Sequence, residues 1–326
     1  MATRKPREEF NPSEEQMALW PEVSGNTVNG LGESKPRRPS PVMWHDPDMI
    51  PHGEVQTWFW EQGRKEPELF ALREDRQRVI DRPEPPVAAR IRNIEPNAAT
   101  QKVKELAMAA GADLVGIVRP RHEWIFEGYD FDYSWIVMLG VAMDHTQLMQ
   151  APEVPSAVEV VKKYTKGWAV ARPISDWVRS QGWRATPRGG PEAGPVLLVP
   201  AAIEAGFGEL GKHGSIINAE LGSCFRLAAI FTDLPLCEDH AVDIAAEDFC
   251  TNCRVCVEAC PPQAIRHDKQ TVRGEEKWYV DFDKCFPYFA ETYGCGICLA
   301  VCPWSKPGRG PLLSQKMMRR RANKSG

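Results

Sequence analysis

Cys250, Cys253, Cys256 and Cys260, the last followed by Pro261, form a C-x2-C-x2-C-x3-C-P run. A second, altered run follows as Cys285, Cys295, Cys298 and Cys302-Pro303. Eight of the ten cysteines therefore lie within 53 residues. No other feature constrains the fold as strongly, because this spacing has a physical cause. Two intervening residues let successive thiolates curl around one iron–sulfur cubane from a tight turn. The next cysteine, three residues on, is carried away on a short helix, and the proline ends that path by fixing φ and removing a backbone donor. The fourth cysteine of each run then ligates the neighbouring cluster. On that rule Cys250, Cys253, Cys256 and Cys302 hold one [4Fe–4S] cluster, and Cys285, Cys295, Cys298 and Cys260 hold the other. A chain so equipped moves electrons one at a time.

Two plainer readings compete. C-x2-C pairs also make tetrahedral zinc sites, but zinc needs neither the third cysteine nor the C-P ending of both runs. Disulfides are disfavoured in a chain without a secretory signal, where clustered cysteines more often bind metal. The widened gap between Cys285 and Cys295 predicts a loop, Phe286 to Gly294, whose Phe286, Tyr288 and Phe289 cover the second cluster. Cys224 and Cys237 are left over and are expected to be buried apolar thiols.

At 326 residues the chain is far larger than its cluster segment, long enough for one large core or two modest ones. A net charge of −4 gives no reason to expect nucleic acid as a partner. Basic residues gather at the end, Lys316 to Lys324, as a solvated tail or a dock for an acidic electron donor. No stretch approaches the roughly 18 apolar residues of a membrane span. Met1 to Phe10 is charged and lacks the apolar region of an export signal, and Arg37-Arg38 is followed by Pro39, Ser40 and Pro41 rather than an apolar segment. The expected location is the cytoplasm.

Residues 1–95 are rich in proline and charge with little periodicity, and Trp44, Trp58, Phe59 and Trp60 suggest an arm lying on a core. Prolines 83, 85 and 86 mark its end. A helix is expected over Ala98 to Ala110, closed by Gly111. Ala112 to Val118 and Trp135 to Met143 are continuous apolar runs, as in strands covered on both faces. Ser156 to Arg172 is helical, with Ala157, Val160, Val161, Tyr164, Trp168 and Ala171 on one face, until Pro173 breaks or kinks it. Val196 to Val199 is a predicted short strand, Pro200 opens a helix, and Phe225 to Thr232 is another strand. Strands alternating with helices indicate a layered α/β-type core. The predicted division is 1–95, an arm; 96–240, a catalytic core; 241–308, the cluster unit; and 309–326, a basic tail. Gly206, Gly208 and Gly211 fit G-x-G-x-x-G, but the residues before them read as a helix where a dinucleotide site needs a strand.

The segment AGFGELGKHGSIINAELGSCFRLAAIFTDLPL, from Ala205 to Leu236, together with CTNCRVCVEACPPQAI and CGICLAVCPWSKPG, resembles the reductive dehalogenases. The resemblance covers residues 97–308 and is strongest from 199 onward. It implies an α+β fold: a nitroreductase-like, corrinoid-binding α/β core with a C-terminal ferredoxin-like unit of two [4Fe–4S] clusters. Epoxyqueuosine reductase, a tRNA-modifying relative, shares the GKH and TDLPL elements. Gly208-Glu209-Leu210-Gly211 before the lysine, Phe225-Arg226-Leu227 in the strand and the short tail favour the dehalogenase. A plain two-cluster electron carrier is the third reading. Without a twin-arginine leader the chain resembles the cytoplasmic, catabolic branch, and with no fused reductase module it implies a separate ferredoxin, flavodoxin or reductase as electron donor.

The same resemblance implies cobalamin as cofactor and a tyrosine that supplies the proton replacing the departing halide. Of six tyrosines, Tyr164 is the choice, being on the helix before the Gly-rich element, with Tyr129 and Tyr133 as fallbacks. Lys212 matches a position where the family has lysine or arginine; its ammonium favours the phenolate or holds an anionic substrate. As a plain surface lysine on a Gly-rich loop it would do neither. Arg226 binds corrinoid side groups or pairs with Asp233. D-x-H-x-x-G, which supplies a histidine to cobalt elsewhere, is absent, and Asp144-His145 does not fit it. Backbone groups from Gly208 to Ser223, including Gly211 and His213, are expected to contact the corrin. Trp124, Trp168 and Trp183 hint at a flat apolar pocket, and Lys212 at an acidic phenol or carboxylate, so a halogenated aromatic is the expected substrate.

Overall fold

The structure, a computed structural model, describes residues 10–192 and 194–325. Residues 1–9, Ala193 and Gly326 lie outside it, and with them most of the charged start of the chain. The arm carries helices α1 (Glu14–Ala18), α2 (Gly25–Val28), α3 (Gly53–Arg64) and α4 (Pro67–Asp81). The last two had no clear periodicity in the sequence. On α4 only Leu69 is fully buried, and charged residues make up about half of the helix. The arm is tied down electrostatically at the twin arginine. Arg37 Nη1 lies 3.7 Å from Glu127, and Arg38 donates to the carbonyls of Ile125 and Tyr129 at 2.9 and 2.6 Å.

Helix α5 (Pro96–Ala109) leads into strands β1 (Leu114–Val118) and β2 (Trp135–Ala142). The short α6 (His145–Leu148) and the long α7 (Val154–Ser180) follow, then β3 (Ala185–Gly189) and α8 (Leu198–Ala202). A hairpin of β4 (Glu209–Leu210) and β5 (Ile216–Ile217) precedes β6 (Phe225–Thr232). The main sheet has the order β1-β2-β6-β3 with every pairing antiparallel, so the layered core is built without a parallel crossover. Its strands read as unbroken apolar runs because both faces are covered. Val137 and Leu139 pack with Ala99, Val103, Ala171 and Ile174 under α5 and α7. Ile136 and Met138 point the other way, to Ala201, Ala205 and Phe207.

Several expectations change. Pro173 neither breaks nor ends its helix: α7 runs to Ser180, held against the sheet by fully buried Ala171 and Ile174 on either side of the proline. Val196 makes only an isolated bridge to Ile125, and Leu198 already begins α8, so no strand forms there. Ile203–Phe207 is a single wide helical turn ending in Gly206 at φ 86° and Gly208 at φ 131°. A helical segment thus precedes the glycines, as the rejection of a dinucleotide site requires.

The cluster unit holds α9 (Ala246–Asn252), α10 (Val255–Ala259), the hairpin β7 (Gln270–Val272) and β8 (Glu275–Lys277), α11 (Phe282–Glu291) and α12 (Ile297–Ala300). The predicted loop from Phe286 to Gly294 is therefore mostly helix. Its aromatics are stacked along α11, with Phe286 and Phe289 packed on Trp44, Val55 and Phe59 of the arm. Of the leftover cysteines, Cys224 is buried, whereas Cys237 is only partly covered and its thiol faces Asn97 Oδ1 at 3.0 Å. The basic tail is helix α13 (Gly310–Ser325), and its Arg321 lies 2.8 Å from Asp248 and also pairs with Asp243. No described helix is long and apolar enough to cross a membrane.

Candidate cluster sites and adjoining cavity

Two groups of four cysteines line two separate spaces. Cys250, Cys253, Cys256 and Cys302 surround a small enclosed space closed by Lys212, His213, Phe249, Pro303 and Trp304. Cys260, Cys285, Cys295 and Cys298 form one wall of a cavity of about 530 Å³. All are free thiols. Burial and the neighbouring cysteines push Cys256, Cys285 and Cys302 up to about 12, so the pockets disfavour bare thiolates and suit ligands whose charge a metal offsets. Among the described residues no three His, Cys, Asp or Glu side chains are gathered closely enough for one metal ion. In a cubane each thiolate takes a different iron.

The chain reaches the second tetrad by an unusual turn. Cys285 sits in the first turn of α11, and after that helix Tyr293, Gly294, Cys295 and Gly296 all have positive φ, at 53°, 113°, 29° and 90°. Left-handed backbone at a tyrosine and a cysteine is costly, and here it turns Cys295 back towards Cys285.

Beyond the second tetrad the cavity is walled by α7, the arm and the strand before the clusters. Tyr164 faces it from α7, beside Gly190; a Cβ there would come 2.2 Å from the tyrosine ring. Arg226, from the start of β6, sets its guanidinium 5.6 Å from the Tyr164 ring centroid, and its buried Nε has no partner. Asp233 is taken instead by Arg184 at 2.5 Å, so the Arg226–Asp233 pairing does not form. The fallbacks point elsewhere: Tyr129 bonds His45 at 2.9 Å, and Tyr133 bonds Thr186 at 2.7 Å.

Lys212 is displaced from the role expected of it. It does not line the cavity that holds Tyr164; it is buried against the first tetrad, donating to Cys253 O at 3.0 Å. Arg226 stands where the cation beside the tyrosine was expected. Of the Gly-rich segment only His213, Gly214 and Ser215 reach the cavity. Gly208 and Gly211 serve close backbone and side-chain packing against Ile217. Ser223 Oγ donates to Ile216 O at 2.8 Å and meets His213 Nε2 at 3.1 Å. Burial holds His213 down to about 4, so it is neutral at ordinary pH. Asp144 caps α6, and His145 meets Ala300 O, away from the cavity.

Trp124, Trp168 and Trp183 also lie off the cavity, in the core or at its edge. The aromatic walls are Trp44, Phe59, Trp60, Trp278, Tyr288 and Phe289. Sequence reasoning missed Arg73 and Arg76, which reach in from α4. Arg76 has a buried Nε without a partner, and its one carboxylate, Glu192, is 3.9 Å away. Only the spacing of two arginines on one helical face beside Leu69 and Leu72 hinted at them. The cavity suits an apolar guest that carries polar groups: its walls are apolar, and Arg76 and Arg226 keep free N–H donors for amide or oxyanion groups.

Fold and site together define a two-cluster redox module joined to a mixed helix–sheet core. A family model described as a 4Fe-4S dicluster domain matches residues 249–306, which include all eight clustered cysteines. Tetrachloroethene reductive dehalogenase of Desulfitobacterium hafniense is 30% identical over 229 residues, 65% of this chain and 41% of that protein. An epoxyqueuosine reductase of Cellulophaga algicola is 32% identical over 143 residues, 38% of this chain and 42% of that one. A solved catabolic reductive dehalogenase, in complex with 3-bromo-4-hydroxybenzoic acid, matches with a TM-score of 0.72 at 22% identity, over 93% of this chain and 47% of its own. The chain is thus related to the reductive dehalogenases and has their fold, and it spans less than half the length of each of these proteins.

Proposed function

We propose that the chain is a corrinoid-dependent reductive dehalogenase acting on a halogenated aromatic that bears a phenol or carboxylate. In the overall reaction two electrons and one proton convert the carbon–halogen bond into carbon–hydrogen and release halide. The observation that carries this reading is that one cavity is shared by the second cysteine tetrad, Tyr164 and Arg226. A bound corrinoid, contacted by His213, Gly214, Ser215 and Tyr288, would supply the cobalt chemistry that cleaves the carbon–halogen bond. Electrons from a low-potential one-electron donor enter through the first tetrad and leave through the second.

The remaining work falls to side chains. The Tyr164 hydroxyl has no hydrogen-bond partner among the described residues, so its proton is free to go to the carbon that loses halide. The Arg226 guanidinium, 5.6 Å from the ring centroid, would stabilise the phenolate left behind. Arg76 and Arg226 give the apolar cavity an excess of positive charge, which favours an anionic substrate. The aromatic walls limit access of water, so the proton comes from a held group.

The test is anaerobic halide release by protein carrying about eight irons, reconstituted with cobalamin and offered brominated and chlorinated phenols and hydroxybenzoates. Cobalamin-dependent bromide or chloride release supports the reading. Stable cobalamin binding with no release from any compound shifts it to epoxyqueuosine reduction, and no cobalamin binding at all to an electron carrier.

A further inference from the structure

Lys212 is left without a part in the chemistry at Tyr164, yet its environment is too unusual for a plain structural residue. Its side chain is 2% exposed. The ammonium lies 3.0 Å from Cys253 O and 3.5 Å from Thr251 O, and 4.7 Å from the centre of the Trp278 ring. No carboxylate among the described residues lies within ion-pair reach of it. The nearby Lys269, also over Trp278, is paired with Glu247. The Lys212 backbone N–H is directed at the Cys250 sulfur, and its charge also acts on Cys256. Burying an ammonium without a counter-charge is costly. The counter-charge here is the cluster itself, since four thiolates leave it anionic.

The second tetrad has the opposite surroundings. Cys285 feels the carboxylate of Asp281, which is 7% exposed and is only loosely offset by Arg266 at 4.0 Å. The groups acting on Cys295 and Cys298 are other cysteines and backbone N–H groups, with no side-chain cation among them.

We propose that Lys212 tunes the first cluster, raising its reduction potential above that of the second so that it is the first to be reduced. Reduction by a low-potential one-electron donor adds one negative charge to the cluster. A fixed ammonium a few ångströms away stabilises the reduced state more than the oxidised state. Carbonyl contacts at the end of α9 hold the ammonium in place, and the Trp278 face shields it from water. The inference rests on the dicluster domain alone and is independent of the substrate.

The test is an anaerobic redox titration of the reconstituted full chain, poised with dithionite and followed by electron paramagnetic resonance. It compares wild type, Lys212→Gln and Lys212→Arg at matched iron content. Glutamine keeps a donor for the two carbonyls and removes the charge; arginine keeps the charge. The expected result is that the higher of the two cluster potentials moves to more negative values in Lys212→Gln, the lower stays put, and Lys212→Arg stays close to wild type. Unchanged potentials in Lys212→Gln, or an equal shift of both clusters, would overturn the proposal. So would loss of the cluster in Lys212→Gln, which would make the lysine a structural clamp on α9.

Discussion

The two cysteine tetrads offer iron the same four sulfurs and place them in different worlds. The first is sealed: Cys250, Cys256 and Cys302 are 6% exposed each, behind Phe249 and Trp304 and beside a buried ammonium. The second is part of a wall. Cys285, Cys295 and Cys298 are less covered and face a cavity with Tyr164 and Arg226 across it, and the side-chain charge acting on Cys285 is the Asp281 carboxylate. The spacing difference follows from this. The compact run closes on itself, whereas the gap between Cys285 and Cys295 is filled by α11, on which the arm docks through Phe286 and Phe289. On the proposed function, one tetrad serves as a relay and the other as a contact with chemistry.

The largest effects should come from removing one tetrad at a time. Cys256→Ser and Cys298→Ser should each lower the iron from about eight to about four per chain and abolish halide release. They should differ in cobalamin retention, measured by gel filtration: kept in Cys256→Ser, whose tetrad is remote from the cavity, and weakened in Cys298→Ser, which removes part of the wall. Equal retention would erase the distinction between relay and wall.

Next in size is the proton donor. Tyr164→Phe should cut the halide-release rate about 100- to 10,000-fold while both cluster signals stay as in wild type. Arg226→Met should lower the same rate about 10- to 100-fold by leaving the phenolate without its cation, with Arg226→Lys partly restoring it. Lys212→Gln should act through cluster potential and leave the pH profile of the chemical step alone. A changed pH profile in Lys212→Gln and none in Arg226→Met would reverse the roles given to the two cations.

A smaller change should sharpen the electrostatic half of the comparison. Asp281→Asn keeps the cap at Lys284 N and the neighbour Asn26 in reach while removing the charge near Cys285. The second cluster should move to a more positive potential, opposite in sign to the Lys212→Gln shift, in the same titration.

The cysteine runs and β6 were legible because each depends on local spacing: ligands a fixed number of residues apart, and five apolar residues in a row from Leu227 to Phe231. Lys212 and Arg226 show where that legibility ends. Both lie in the stretch most like the dehalogenases, and the sequence offers no sign that a one-strand register step aims Arg226 at Tyr164 while the turn after β4 sends Lys212 to Cys253. Arg73 and Arg76 were hidden for another reason. Their helix has one charged face and little apolar surface of its own, and it is ordered mainly by lying along α7. Long-range packing decides such elements, and periodicity does not report it.

The smallest expected effect tests whether the arm belongs to the second tetrad alone. His52 is fully buried between Trp20 and Phe282, and neither ring nitrogen has a partner. Burial lowers its pKa, with Asp283 pulling weakly the other way. His45 is likewise lowered by burial, with one nitrogen on the Tyr129 hydroxyl and the other without a partner. A histidine whose folded pKa is depressed contributes stability that is complete above the unfolded value near 6.5. That contribution is lost as pH falls from there through the folded value. Lowering the pH from about 7 to about 5 should therefore loosen the arm first, read as faster limited proteolysis between α1 and α4. His52→Phe, which keeps the aromatic edges and cannot charge, should blunt the effect. Because the arm packs on α11 and the second tetrad and not on Trp304 and the first, iron lost under these conditions should come from the second cluster. Loss of both clusters in step would mean that the arm stabilises the whole cluster unit and that the two tetrads share one fate.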